Sequence, residues 1–175
     1  PDPFLVIATQ NPVGASGTQK LPDSQLDRFL LRLSMGYPSP AEELELLKRR
    51  QYGGGMNGVC QVISREQLRL LREETGRVHV SEAVLQYIVQ LVNATRSHPQ
   101  LMQGASPRAA LAVMSVSRAV AFLRGRDYVI PEDVQCIWTD AIAHRLLLAP
   151  GLSDAASPQS ISAETLHNTP APKVQ

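Results

Sequence analysis

Lysine is nearly absent. It stands only at positions 20, 48 and 173, so arginine supplies most of the positive charge. Arginine's planar fork suits bidentate contacts to phosphate and carboxylate, so individual Arg positions say more than the total charge. The formal net charge is only +1, which gives no bulk electrostatic case for binding nucleic acid or a membrane surface. Cys60 and Cys136 lie far apart, with no CxxC and no His-paired metal spacing. They read as reduced thiols, and neither a disulfide nor a metal site is expected. No apolar run approaches the roughly 18 residues that cross a bilayer, and no secretory signal opens the chain. A soluble, cytoplasmic protein is expected.

Catalytic patterns are missing as well. There is no G-x-x-x-x-G-K-[ST], hence no backbone cradle for phosphates and no Lys to reach the terminal one. Gly14 to Lys20 holds Gly, Thr and Lys in the wrong order. No apolar strand ends in an Asp-Glu pair that could hold magnesium, and no Ser-His-acid order or carboxylate pair suggests a hydrolase. The chain by itself is therefore expected to be catalytically inactive.

What is present divides into three parts. Phe4-Leu5-Val6-Ile7-Ala8 is apolar on consecutive residues, the pattern of a strand buried on both faces of a parallel sheet. Little after residue 36 could pair with it, so its neighbours are expected upstream. Thr9-Gln10-Asn11-Pro12 turns polar, Gly14 to Thr18 reads as a loop, and Asp23 caps a short helix to about Arg28. Phe29 to Leu33 reads as a second strand, and Gly36-Tyr37-Pro38 marks a boundary. Beyond it the pattern is helical. Ser39-Pro40-Ala41-Glu42 and Ser64-Arg65-Glu66-Gln67 are capping boxes, separated by a flexible linker over Gly53 to Gly58. Further helices are expected from Ser81, from Ser106-Pro107 to Arg124-Gly125, and from Pro131. The apolar residues of the Ser106 helix suggest burial on several sides. From Gly151 on, Ser, Ala and Pro dominate, and a disordered tail is expected. The expected fold is the end of an α/β sheet domain (1–36), a helical bundle (37–150) and a tail (151–175).

Three residues merit a chemical reading. Asn11 follows the carboxyl end of a predicted strand, where polar catalytic groups of open α/β sheets gather; its position alone fits a simple turn better. Arg108 stands in the first turn of its helix, where the other helices place Glu42, Glu66 and Glu132-Asp133. A cation there costs about 0.3–1 kcal/mol and becomes favourable once an anion docks. A glutamate at 108 is accordingly expected to stabilise the ligand-free chain. An Arg108 that merely reaches into water is the competing reading. Arg28 reads from spacing alone as a surface residue. His144-Arg145 reads as a pair of cations favouring a helix C-terminus.

The motifs taken together resemble the MoxR family of AAA+ ATPases, over nearly the whole chain to about residue 150. FLVIATQNP resembles the strand and first sensor, LPDSQLDRF the arginine-finger segment, and GYPSPAEE the start of the lid. VHVSEAVLQYIVQLVNATRSHP, GASPRAALAV, RGRDYVIPEDV and AHRLLL are similar to successive lid segments. The loop from Val13 to Lys20 departs from the family, being neutral to basic where acids and an aromatic are usual.

The resemblance implies the end of a P-loop AAA+ parallel sheet followed by an all-helical lid. In a protein that also carries the phosphate-binding half, ATP with magnesium would sit between core and lid and against the next subunit of a ring, usually a hexamer. Asn11 would position the attacking water, Arg28 would act as finger in the neighbour's site, and Arg108 would reach the phosphates of its own subunit. Such motors act as chaperones that remodel or mature client proteins. Two alternatives stay open at this point: a non-enzymatic helical interaction module, for example one that binds nucleic acid, against which the spread of the Arg residues argues, and a degenerate pseudo-ATPase.

Overall fold

A computed structural model describes residues 2–10, 21–51, 59–151 and 156–173. Its elements in chain order are α1 (Asp23–Leu26), α2 (Pro40–Gln51), α3 (Arg65–Arg77), α4 (Glu82–Arg96), β1 (Leu101–Gln103) and α5 (Pro107–Leu123). There follow α6 (Pro131–Ile142), a 3-10 turn (Ala143–Arg145), β2 (Leu147–Leu148) and α7 (Pro158–Asn168).

The helices begin where side chains satisfy the first orphan N–H groups. Ser64 Oγ accepts from the Gln67 amide at 3.1 Å, while Gln67 Oε1 accepts from the Ser64 amide at 2.7 Å. Ser39 and Glu42 form the equivalent pair, the Ser39 amide donating to Glu42 Oε2 at 2.8 Å. Ser81 Oγ takes the Val84 amide at 3.4 Å. Each such cap stabilises its helix by about 1 kcal/mol.

The core lies among α4, α5, α6 and α7. α5 packs against α3, α4 and α6 through Ala109, Ala112, Val113 and Ala121, whereas its Leu111 and Leu123 are exposed. Leu91, Val113 and Trp138, one from each of α4, α5 and α6, are fully buried. The start of α6 is fixed by charge. Asp133 is completely buried and accepts from Arg124 at 2.9 Å, from Arg126 at 2.7 and 2.5 Å, and from the Ile130 amide at 3.0 Å. Burial pushes its pKa up, but the Arg126 hydrogen bonds, the Ile130 amide and the two positive charges outweigh that, leaving it below the ordinary value.

Three expectations need correction. Residues 4–8 and 29–33 are not strands. A strand exists through its ladder, and none of the described residues pairs with either segment. Phe4 and Ile7 are instead 72% and 84% exposed, and the Arg32 amide bonds to the Asp140 carbonyl at 3.0 Å.

The expected disordered tail contains α7. Its start is capped by Ser157, whose Oγ accepts from the Ser160 amide at 3.0 Å. Ile161, Ser162 and Thr165 are buried, and the Trp138 indole N–H donates to the Ser162 carbonyl at 2.9 Å. A buried indole needs such an acceptor, and α7 supplies it. The third correction is the small antiparallel ladder β1–β2, pairing Leu101 with Leu148 and Gln103 with Leu147, which sequence reading did not foresee. The expected loop at Gly14–Thr18 and linker at Gly53–Gly58 lie outside the described residues.

Candidate functional site

The site lies near the β1–β2 ladder, where Gln103 pairs with Leu147. β1 leads into α5 and the 3-10 turn leads into β2, and Asp27 bridges Ser106 at the head of α5 to Arg145 of the turn. The approach to α5 is fixed on its other side by α4. The Ala105 amide donates to Thr95 Oγ1 at 3.0 Å, and Arg96 Nε donates to the Ala105 carbonyl at 2.8 Å. The chain comes so close here that a Cβ on Gly104 would stand 2.6 Å from the Arg96 backbone, a contact that real Cβ atoms do not make.

At this junction the α1 segment docks. Asp27 accepts from Arg145 at 3.2 Å and from the Ser106 hydroxyl at 3.1 and 3.2 Å. Arg108 lies 3.9 Å from it. Arg145 also donates to the Phe29 carbonyl at 2.5 Å. His144 Nε2 lies 3.2 Å from that carbonyl, a donor contact in the Nε2–H tautomer. Burial pulls the Arg145 pKa below its usual value, Asp27 opposes this, and Arg108 adds to it. An arginine nonetheless stays charged. Burial likewise lowers the His144 pKa, helped by the Arg145 charge and opposed by the Phe29 carbonyl, so its imidazole is neutral at pH 7.

Ser106 departs from the capping serines Ser39, Ser64, Ser81 and Ser157. Its hydroxyl goes to Asp27 and makes no cap hydrogen bond, and the first turn of α5 holds no acid. A cleft of about 150 Å³ opens beside this helix start, lined by Arg28, Arg108 and Arg145 with Leu30, Leu111, Ala112 and Ser115. The Arg108 side chain is 58% exposed and Arg28 is exposed. Neither makes a side-chain hydrogen bond with the described residues. Two exposed guanidiniums, Arg108 within 3.9 Å of the Asp27 carboxylate, beside a helix N-terminus without a side-chain cap form an arrangement that suits an anion.

Of the three residues singled out from sequence, Arg28 and Arg108 share this cleft, whereas Asn11 lies outside the described residues. The contacts of Asp27, Ser106, Gly104 and Arg145 at this junction are not legible in the sequence. Arg145, expected as a cation at a helix end, is in fact buried under the α1 segment. Asp27 also bears on the expected stabilisation by a glutamate at 108. It brings a carboxylate to the head of α5 from elsewhere in the chain, so a glutamate at 108 would face a like charge and bring no stabilisation.

Comparisons with known proteins match this layout. The family model for the ATPase family associated with various cellular activities (AAA) matches residues 1–31, and the AAA lid domain model matches 93–165. The lid match thus runs into α7, in agreement with its packing. Chaperone MoxR1 of Mycobacterium tuberculosis is 40% identical over 184 aligned positions, covering 99% of this chain and 48% of that protein. The uncharacterized protein YeaC of Bacillus subtilis is 44% identical over 149 residues, covering 85% of this chain and 47% of YeaC. A crystal structure of a candidate ATPase from Cytophaga hutchinsonii superposes with a TM-score of 0.89 at 34% identity, covering 98% of this chain and 55% of its own. The chain spans about half the length of the curated relatives it matches. With the end of an AAA core followed by an AAA lid, and relatives of this kind along almost its whole length, the chain belongs to the MoxR-type AAA+ ATPases and corresponds to the C-terminal part of one.

Proposed function

We propose that the chain is the nucleotide-responsive end of a motor ATPase in which ATP binding and hydrolysis, in a hexameric ring, drive the remodelling or maturation of a client protein. The observation that carries this reading is the pair of exposed guanidiniums, Arg28 and Arg108, beside the uncapped head of α5. These groups suit phosphate oxygens. Among the described residues no group of three His, Cys, Asp or Glu side chains could hold a metal ion, so magnesium is assigned no ligand here. The chaperone role is supported by the name of the relative Chaperone MoxR1. Among the described residues no helix is long and apolar enough to cross a membrane.

ATP, when bound, supplies the phosphoanhydride whose cleavage drives the motor. Arg108 binds its phosphates from the lid of the same subunit, Arg28 neutralises charge in the neighbouring subunit's site, and Asn11 orients the attacking water. The core ends at residue 36 and the lid begins at 37. Because Arg28 and Arg108 line one cleft, a second reading has both serving the same nucleotide.

Mixed rings separate the two readings. Arg28→Ala subunits are combined with subunits whose phosphate-binding loop is disabled, each inactive alone. If the finger acts across an interface, some sites pair an intact loop with an intact Arg28, and steady-state turnover recovers. Turnover that stays at the level of either parent would overturn the cross-subunit role and favour the single-site reading.

A further inference from the structure

Resting on the reading of Arg28 as a finger, we propose that Arg145 is a positioning residue for it, clamping the residues on both sides of Arg28 to the lid. Arg28 has no side-chain partner among the described residues, but its chain neighbours are held. One guanidinium grips Asp27 through its carboxylate at 3.2 Å and Phe29 through its carbonyl at 2.5 Å. The Arg145 side chain is 1% exposed, so water cannot replace its acceptors, although Asp27 at 26% is partly open to solvent. Two more lid residues join from the same side: His144, 3.2 Å from the Phe29 carbonyl, and Asp140, whose carbonyl takes the Arg32 amide at 3.0 Å. The segment is thus pinned before and after residue 28, and Arg28 itself is exposed.

Burying a guanidinium is expensive, and an apolar residue would attach the segment to the lid at lower cost. What the planar fork adds is a directed, two-point hold that neither an apolar group nor a lysine reproduces. The clamp also reaches the sensor. Asp27 holds the Ser106 hydroxyl, two residues before Arg108, so a movement of the head of α5 toward phosphate pulls on the carboxylate next to Arg28. Finger and sensor are linked through Asp27, with Arg145 as the fixed point.

The test uses the full-length ATPase with Arg145→Lys, Arg28→Ala and the double variant. Lysine keeps the charge on Asp27 and loses the second attachment. Turnover of Arg145→Lys is expected to fall roughly 10- to 100-fold, the usual cost of misplacing a catalytic group by about 1 Å, with nucleotide affinity kept. In the Arg28→Ala background the same change should alter turnover by less than about twofold, because the group it positions is gone. An equal loss in both backgrounds, or a joint loss of affinity and turnover, would make Arg145 merely structural and overturn the proposal. Asp27→Asn cuts the clamp at its partly exposed end, should show the same pattern, and serves if the lysine variant does not fold. If Arg28→Ala alone leaves turnover normal, the finger reading fails, and amide exchange then decides the clamp. Faster exchange at Arg28 and Phe29 in Asp27→Asn, with α5 unchanged, supports it; unchanged exchange overturns it.

Discussion

Replacing Arg28 with alanine in the assembled ATPase is expected to lower turnover by roughly 10³-fold or more and to leave nucleotide affinity almost unchanged, as for other arginine fingers. The expected effect is large because a finger's guanidinium meets charge that develops only in the transition state. Its exposure fits that role: Arg28 is exposed on the rim of the cleft, whereas Arg145 beside it is committed to Asp27 and Phe29. Arg28→Lys should recover little, since an ammonium cannot make the planar two-point contact. Normal turnover by Arg28→Ala rings would remove the finger assignment.

The second large effect is on stability. Asp133→Ala is expected to destabilise the chain by about 3 kcal/mol or more, because it leaves two arginines without their shared carboxylate in a part-buried setting. It also removes the acceptor of the Ile130 amide at the start of α6. Arg124 is 49% exposed and can turn to water, while Arg126, at 20%, has less freedom; this keeps the loss toward the lower end. The folded-state pKa of Asp133 lies below its ordinary value. Its contribution to stability is therefore complete above the unfolded value of about 3.9 and is lost as pH falls through the folded one. Thermal melts of the wild type and Asp133→Asn between pH 2 and 7 check this. The wild type should lose more stability in acid than the asparagine variant, and parallel curves would contradict the assignment.

The sequence made the helical part of the fold legible and left the site half hidden, for separable reasons. Helix starts are local: Ser39, Ser64 and Ser81 act within three residues of themselves, so spacing alone reveals them. α7 starts at Ser157-Pro158, the same pair as Ser39-Pro40 and Ser106-Pro107, but the Ser- and Ala-rich composition around it masks the signal. The segments at 4–8 and 29–33 have the composition of strands, yet a strand depends on neighbours that the described residues do not provide.

Arg28 and Arg108 were legible through motif resemblance. The dipole mismatch at Arg108 was also visible, though its partial answer was not. Asp27 reaches Arg145 across 118 positions of sequence, and the strands near that meeting, one of three residues and one of two, hardly announce it. Gly104 was visible only as a letter in GASPRA. Its purpose, the close approach to Arg96, is a property of packing.

The central claim, that Arg108 meets nucleotide phosphate from the lid, is tested most directly by titrating magnesium-ATP into the full-length protein and its Arg108→Ala variant by calorimetry. Losing a charge-assisted contact of this kind should weaken binding roughly 10- to 100-fold, while the melting temperature changes little, because the Arg108 side chain is 58% exposed and 3.9 Å from its nearest carboxylate. An undiminished affinity accompanied by a clear drop in melting temperature would mean that Arg108 serves Asp27 and the fold, and that the cleft does not read nucleotide.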